Sequence, residues 1–243
     1  MGRYDISQEF YIPQKLYGRE KEVSWLLTHF EEYMESFRGK SISIDRKIPI
    51  ILVSGYSGIG KSVLVQELFK VITKRRGYYI AGKFDQLQKN IPYFAILKAF
   101  QELVRQLLSE PEDDLKNWKN KIISELGNNG AVITDVISEL ELIIGKQIML
   151  PELGPSETQN RFFDTFQRFI NVFARPEHPL VLFLDDLQWA DSASLKLIET
   201  LTQVKKTCVF IIVAYRDNEV NDSHPLKLTL KEITENFKDK ESD

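Results

Sequence analysis

The sequence predicts an α/β fold, in which helices cover both faces of a parallel sheet of at least four strands. Short apolar runs alternate along the chain with segments whose apolar residues recur at helical spacing. A glycine-rich turn joins the first run to the helix after it, and a long helical stretch separates the second run from the third. This spacing predicts a helical insertion, over about 93–175, between the second and third strands.

The N-terminal part is predicted to form an extended lead-in and then one helix. Pro13 bars a helix within the lead-in, residues 1–17. From Glu20 to Phe37 the apolar residues recur at the spacing of a helix face. They are Val23, Leu26, Leu27, Phe30, Met34 and Phe37. A polar connector, RGKSISIDRK, follows this helix.

A first strand and a second helix are predicted next. IPIILVSG, which ends at Gly55, has the pattern of a short buried strand, and KSVLVQELFKVITKRRG has the pattern of a helix. The last turn of that helix carries Lys74, Arg75 and Arg76, whose charges suit the negative end of a helix dipole. Gly77 supplies the stop.

The second strand is predicted at YYIAGKF, before the long helical stretch. The clearest helix of that stretch begins at PSETQ, where Ser156 and Gln159 form a capping-box pair. Its apolar face consists of Phe162, Phe163, Phe166, Phe169, Ile170 and Phe173. This stripe indicates core packing rather than a cofactor site.

The remaining elements complete the sheet. PLVLFLDD predicts a third strand, SASLKLIETLTQVKK a helix and CVFIIVAYRD a fourth strand. One domain is predicted over 18–230, and a charged, disordered tail is predicted over 231–243.

Composition narrows the class of protein. The chain has 243 residues, 43% of them hydrophobic and 28% charged, as in ordinary globular domains. A balance of 32 basic against 35 acidic residues argues against nucleic-acid binding. A single cysteine, Cys208, rules out an internal disulfide and fits a reducing compartment. Apolar runs are too short for a bilayer span, and MGRYDISQEF lacks a signal-peptide core. We therefore expect a cytoplasmic protein with neither nucleic acid nor membrane as partner.

Residues 55–62, GYSGIGKS, satisfy the P-loop pattern G-x-x-x-x-G-K-[ST] between a predicted strand and a predicted helix. Its glycines let the backbone turn tightly and point N–H groups at phosphate oxygens. Lys61 adds a positive charge for the β- and γ-phosphates, and the Ser62 hydroxyl is a ligand for Mg²⁺. The predicted nucleotide-binding residues here are Gly55, Tyr56, Ser57, Gly58, Ile59, Gly60, Lys61, Ser62 and Val63.

Two adjacent acids, Asp185 and Asp186, end the third predicted strand. Polar residues often mark the exit of a strand from the core, and that explanation stays open. A P-loop protein, however, needs a carboxylate at a second strand end to hold Mg²⁺. Asp185 is predicted to be that metal ligand, with Ser62, and Asp186 to orient or deprotonate the attacking water. Because neighbouring side chains of a strand face opposite ways, both serve one site only if the strand ends near Asp185.

Arg216 follows the fourth predicted strand and should lie at the same sheet edge as the acids. A guanidinium there can sense a γ-phosphate and stabilise the charge on it as it leaves. The alternative is an arginine that pairs with a nearby acid, such as Asp217. His29, His178 and His224 show no metal-ligand spacing.

Taken together, these motifs resemble a known family. LYGRE (16–20), GYSGIGKS, LFLDDLQWAD and IIVAYRDNEV resemble the ATPase module of the STAND class of P-loop NTPases. IPQKLYGRE, RGYYIAGKFDQLQKNIPY and DNEVNDSHPL are more closely similar to the AAA-type ATPase region of large bacterial hybrid sensor kinases. In those proteins the ATPase stands between a serine/threonine kinase domain and a histidine kinase.

The resemblance implies several further features. The GRE segment would wrap adenine and ribose, so that Tyr17, Gly18 and Arg19 flank the base, and Arg216 would act as a nucleotide sensor. The fourth strand would lie between the P-loop strand and the acid-bearing strand. The resemblance also implies an inactive ADP-bound and an active ATP-bound form, a nucleotide-dependent homo-oligomer, and the kinase and sensor domains of a parent or partner protein.

The sequence departs from that pattern in its extent. It contains no kinase catalytic loop, histidine kinase segment or sensor domain. Members of the class continue into a fifth strand, a helical lid and a winged-helix region, and we expect these to be missing after HPLKLTLKEITENF. A missing fifth strand would expose the edge of the P-loop strand.

The leading expectation for function is binding and slow hydrolysis of Mg-ATP as a signalling switch, by in-line attack of water on the γ-phosphate. Lys61, Mg²⁺ and Arg216 would neutralise the developing charge. Two alternatives stay open. One is a nucleotide-dependent interaction module that hardly hydrolyses ATP, and the other is a DNA-associated ATPase, against which the charge balance argues.

Overall fold

A computed structural model describes residues 18–37, 47–205 and 207–238, and it forms a four-stranded sheet with helices packed on it. The strands are β1 (Ile50–Ser54), β2 (Tyr78–Lys83), β3 (Leu180–Asp185) and β4 (Val209–Tyr215). The helices are α1 (Glu20–Glu35), α2 (Lys61–Lys74), α3 (Phe94–Leu108), α4 (Glu112–Leu126), α5 (Gly130–Thr134), α6 (Glu141–Ile144), α7 (Pro155–Phe173), α8 (Ser192–Thr202) and α9 (Pro225–Lys238). Short 3₁₀ turns include Leu187–Trp189 after β3 and Asp217–Glu219 after β4.

The sheet is parallel throughout, in the order β1-β4-β3-β2. The predicted α/β class is confirmed, and β4 lies between the P-loop strand and the acid-bearing strand, as the family resemblance implied. Parallel strands end at the same edge of a sheet. The segments that follow β1, β3 and β4, together with the end of β2, therefore meet there, and Lys83 pairs in register with Asp185.

Helices pack on both faces of the sheet because successive side chains of a strand point to opposite sides. On one face, Phe183 and Phe210 pack with Leu26, Phe30 and Leu68 of α1 and α2. On the other face, residues of β3 and β4 pack with α3, α7, α8 and α9. The members of that second core include Phe100, Phe166, Leu182, Ile198, Ile211 and Leu226.

The strands differ in their burial. All seven residues of β4 are buried, as are the five apolar residues of β3. The prediction of a buried first strand was wrong, because β1 is one of the two edge strands among the described residues and Leu52 is 45% exposed. An apolar run therefore identified the strand but not its place in the sheet.

The predicted helical insertion is confirmed as α3 to α7, and most of the α7 phenylalanine stripe is core: Phe166, Phe169 and Phe173 are fully buried. The predicted capping pair of Ser156 and Gln159 was wrong. The cap residue is Gly154, no side chain caps this helix in the described structure, and Pro155 opens it. Proline suits the first helical position because its φ angle is already helical.

The predicted boundary at residue 230 was also wrong, since α9 continues to Lys238 and buries Ile233. Residues 231–238 are thus helical instead of part of a disordered tail. The rest of that predicted tail, 239–243, and the predicted lead-in, 1–17, lie outside the described residues, as does Tyr17.

Candidate functional site

The turn between β1 and α2 has the backbone conformation that its glycines allow. Gly58 and Gly60 have φ angles of +77° and +91°, and Gly55 has a φ of +148°. L side chains rarely adopt such angles, whereas glycine does so without steric cost. Gly60 precedes the first residue of α2, and no described side chain caps this helix end. The N–H groups of the first helical turn are therefore free of side-chain partners there, as phosphate binding requires.

Lys61 folds back over this turn. It is 7% exposed, and its Nζ donates to the carbonyl oxygens of Gly55, at 2.7 Å, and Tyr56, at 2.9 Å. Tyr56 and Ile59 are exposed at the rim of the loop. The ammonium thus already points into the turn, on hydrogen bonds that an incoming phosphate oxygen can replace.

Ser62 connects the turn to the end of β3. Its Oγ donates to Asp185 Oδ2 at 2.8 Å, and Asp185 Oδ1 accepts from the backbone N–H of Asp186 at 2.9 Å. A hydroxyl and a carboxylate are hard oxygen ligands of the kind that Mg²⁺ prefers. Within the described ranges, no group of three His, Cys, Asp or Glu residues could hold a metal. Ser62 Oγ and the Asp185 carboxylate therefore fit a Mg²⁺ ion whose remaining ligands would be phosphate oxygens and water.

Asp186 turns out of the strand at once. β3 ends at Asp185, and Asp186 has a φ of +52° and a ψ of +43°, in the left-handed region. Aspartate visits this region more readily than most residues. The geometric condition for both acids to lie at one site is therefore met, and Asp186 is 8% exposed.

Three side chains surround the Asp186 carboxylate. Gln188 Nε2 and Arg216 Nε donate to Oδ1 at 3.1 and 3.2 Å, and Lys83 Nζ lies 3.5 Å from Oδ2. Sequence reasoning missed Gln188 and Lys83. The signal for Lys83 was topological, because the residue that ends β2 must lie beside the end of β3. Nothing in the sequence pattern indicated the direction of the Gln188 side chain.

Arg216 joins the acid cluster, as its position after β4 predicted, and it pairs with Asp186 and Glu219 rather than with Asp217, the acid suggested for the alternative role. Its Nη1 donates to Glu219 Oε1 at 2.8 Å, whereas Asp217 accepts from the backbone N–H of Asn218. The 3₁₀ turn Asp217–Glu219 explains this, because it brings the third residue after the arginine back beside it. Hydrogen bonding to Glu219, and then the charge of Asp186, raise the pKa of Arg216, so it stays charged.

Of the residues predicted to flank the base, Gly18 and Arg19 are described, and they lie just before α1. Gly18 has a φ of +78°, and Arg19 immediately precedes α1. Arg19 lines an open groove of about 470 Å³, with Trp25, Leu52 and Ser54. This groove runs along β1 to the residue before Gly55, so a nucleoside in it would adjoin the phosphate-binding turn.

A strand, a glycine turn and a helix of this geometry, facing paired acids across a parallel sheet, define a P-loop nucleoside-triphosphate-binding fold. Residues 15–212 match the AAA ATPase domain family, and the chain belongs to that family.

Three relatives carry histidine kinase names. The chain is 41% identical over 204 residues to the hybrid signal transduction histidine kinase G of Dictyostelium discoideum. The matched region covers 84% of the chain and 6% of that protein. It is 22% identical over 165 residues to the histidine protein kinase 1 of Candida albicans, covering 62% of the chain and 7% of that protein. It is 28% identical over 167 residues to the peroxide stress-activated histidine kinase mak3 of Schizosaccharomyces pombe, covering 56% of the chain and 7% of that protein. The chain thus spans about 6–7% of the length of these relatives. No helix in the described ranges is both long enough and apolar enough to cross a membrane.

Proposed function

We propose that this chain binds Mg-ATP and hydrolyses it slowly, as a nucleotide-dependent switch module. The observation that carries the proposal is the hydrogen bond of 2.8 Å between Ser62 Oγ and Asp185 Oδ2, which joins the P-loop to the end of β3. A P-loop serine and a strand-end aspartate are the two protein groups that hold Mg²⁺ in P-loop NTPases.

Each side chain of the site then has a distinct role. Lys61 exchanges its two carbonyl partners for the β- and γ-phosphates, and the N–H groups of the turn bind the remaining oxygens. Mg²⁺, when bound by Ser62 and Asp185, neutralises charge on the phosphates. Asp186 orients and deprotonates the attacking water, and Arg216 moves from Asp186 towards the γ-phosphate to stabilise the charge that develops.

The nucleoside end of ATP is assigned to the α1 side of the loop. Arg19 lines a groove that leads to the P-loop, and its walls, Trp25 and Leu52, are apolar and exposed. Flat apolar walls suit a purine base. We assign the base to Tyr17, Gly18 and Arg19, as the STAND resemblance implies.

We infer that the module serves a larger sensor kinase. The support is the similarity to three proteins whose names describe histidine kinases, one of them hybrid. A serine/threonine kinase domain, sensor domains and a nucleotide-dependent homo-oligomer belong to the same proposal. In this arrangement the ADP-bound form is inactive and the ATP-bound form is active.

A second candidate is a switch that binds ATP and hardly hydrolyses it. It is favoured by the engagement of both oxygens of Asp186, since Oδ1 accepts hydrogen bonds from Gln188 and Arg216 and Lys83 Nζ lies 3.5 Å from Oδ2. A water-activating carboxylate needs a free oxygen aimed at the water. The two candidates differ in whether Asp186 presents Oδ2 to that water.

Single-turnover hydrolysis of labelled ATP tests the proposal. We expect phosphate release from the wild-type chain, and a rate about 10²- to 10⁴-fold lower in Asp186→Asn with Mg-ATP affinity unchanged. Asp185→Asn should lose the Mg²⁺ dependence of ATP binding as well.

Asp217→Asn is the matched control, because that carboxylate bonds a backbone N–H outside the site. Tight Mg-ATP binding without phosphate release from the wild-type chain would establish the non-hydrolysing switch instead. Identical Mg²⁺ titrations of the two acid variants would refute the division of roles between them.

A further inference from the structure

Gln188 is the most deeply buried polar side chain at the sheet edge that carries the site. It lies in the 3₁₀ turn Leu187–Trp189, between the ends of β3 and β4, and it is 1% exposed. Burying a primary amide is costly unless its donors and acceptor find partners. The side chain therefore has to be satisfied by the groups around it.

Both ends of the amide are bonded, and each partner belongs to the site. Its Nε2 donates to Asp186 Oδ1 at 3.1 Å, and its Oε1 accepts from the backbone N–H of Arg216 at 3.2 Å. The orientation of the amide follows from its partners. A backbone N–H only donates and a carboxylate oxygen accepts, so the opposite orientation would lose both bonds.

The other partners of Asp186 differ from Gln188 in charge and exposure. The Lys83 side chain is 68% exposed and the Arg216 side chain 29% exposed, and both are cations. Long exposed cations are drawn to a triphosphate when one binds. A neutral, buried amide has no such attraction and no room to move.

We propose that Gln188 is a positioning residue for the reaction, and that it holds Asp186 Oδ1 so that Oδ2 faces the attacking water. Through the N–H of Arg216, the same amide fixes the acid relative to the end of β4. This inference rests on the proposed function, because it assigns to Asp186 the handling of the water. In the described part of the chain, Oδ2 accepts no hydrogen bond and has Lys83 as its charged neighbour.

The alternative is a structural role, in which Gln188 merely joins two strand ends. The two roles differ in what they predict for the chemical step. A structural link affects stability and nucleotide binding, whereas a positioning residue affects the rate constant of hydrolysis at saturating Mg-ATP.

The first test compares Gln188→Met with the wild-type chain in single-turnover hydrolysis. Methionine keeps the size of the side chain and removes both hydrogen bonds. We expect the rate constant at saturation to fall on the order of 10- to 100-fold, a part of what a positioned acid–base group supplies, with the Kd of Mg-ATP within about threefold. An unchanged rate constant overturns the proposal, whether or not the urea midpoint falls.

The second test uses Gln188→Glu and remains decisive if Gln188→Met does not fold. A glutamic acid donates to Asp186 only when it is protonated, and it repels Asp186 when it is ionised. We expect the ratio of the variant rate to the wild-type rate to rise as the pH falls, and Gln188→Asn, which is too short, to show no such trend. A ratio that is independent of pH supports the structural role.

Failure of this inference is distinguishable from failure of the proposed function. If wild-type hydrolysis is absent, the proposed function fails. If the wild-type chain hydrolyses ATP and Asp186→Asn does not, while Gln188→Met and Gln188→Glu retain the wild-type rate and pH profile, then only the role of Gln188 is wrong.

Discussion

The two halves of the site are built on different parts of the sheet. The acids and Arg216 stand on β3 and β4, whose apolar residues are buried on both faces. The P-loop follows β1, an edge strand in which every residue but Val53 is at least partly exposed, and Tyr56 in the loop is 65% exposed.

The difference indicates which half changes when nucleotide binds. Asp186 is held by Gln188 within a buried setting, so this acid is preorganised, and the movement proposed in its half of the site is that of Arg216. In the P-loop half, Lys61 bonds carbonyl oxygens of its own loop, and the proposed function requires it to exchange them for phosphate. Preorganised groups lose little entropy on binding, and we expect the P-loop half to undergo most of the rearrangement.

The largest expected effect tests the comparison directly, with one leucine from each strand. Leu182 of β3 is 1% exposed and Leu52 of β1 is 45% exposed. Leu182→Ala should lower the free energy of unfolding by about 2–5 kcal/mol, because it leaves a cavity between sheet and helices. Leu52→Ala should cost less than about 1 kcal/mol. Urea unfolding measures both, and equal losses would show that β1 is as well packed as β3.

The next largest effect concerns phosphate recognition by the P-loop half. Lys61→Ala should weaken ATP binding by about 1.5–3 kcal/mol, the value of a lost charged hydrogen bond, or roughly 10- to 150-fold. Adenosine lacks phosphates and should bind the variant as well as the wild-type chain. Isothermal titration with both ligands measures this, and equal losses for the two ligands would indicate a damaged fold.

A smaller effect tests how closely α3 packs on β2, the edge strand at the other side of the described sheet. A Cβ at Gly82 of β2 would lie 2.2 Å from the backbone oxygen of Ala95 in α3, and a backbone atom cannot move away easily. Gly82→Ala should therefore cost about 1–3 kcal/mol of stability.

Gly154→Ala is the control, since its Cβ would meet only the end of the flexible Glu157 side chain. A Gly82→Ala variant as stable as the Gly154→Ala variant would mean that α3 can shift on the sheet.

The smallest expected effect is a pH dependence of the free energy of unfolding, to which His224 contributes. Burial lowers the pKa of His224, the charge of Lys89 adds to this, and a hydrogen bond to the Gln188 backbone opposes it. As the pH falls, His224 therefore becomes protonated at a higher pH in the unfolded chain than in the folded chain. The His224 contribution is fully present above its ordinary pKa of about 6.5 and is lost as the pH falls through the lower folded value.

The neutral ring also accepts a hydrogen bond from the N–H of Leu226 at 3.1 Å. His224→Asn can keep that acceptor without titrating in this range. We expect unfolding free energies of the variant to fall less steeply below about pH 6.5 than those of the wild-type chain. Parallel pH profiles would show that His224 is not the group responsible.

Much of the fold followed from local patterns. Four apolar runs predicted the strands, and the glycine-rich turn between a strand and a helix identified the P-loop segment. The meeting of Ser62, Asp185, Asp186 and Arg216 followed from topology, since parallel strands end at one edge of a sheet. The chemical roles of these residues stay predictions.

The predictions that were wrong concerned features that a local sequence pattern does not determine. The edge position of β1 is a property of the whole sheet, and the partners of Asp186 depend on a left-handed backbone angle that aims its side chain. The Glu219 partner of Arg216 required a 3₁₀ turn that three polar residues do not specify.

The left-handed conformation of Asp186 also limits how this position can evolve. A single base change in an aspartate codon leads to Asn, Gly, His, Tyr, Ala, Val or Glu. Asn and Gly adopt this backbone conformation readily, and both lack a carboxylate. Glu keeps the carboxylate but fits the backbone poorly. The mutational steps that best preserve the fold are thus those that remove the acid, and under the role proposed for Asp186 each of them would leave a switch that binds nucleotide without hydrolysing it.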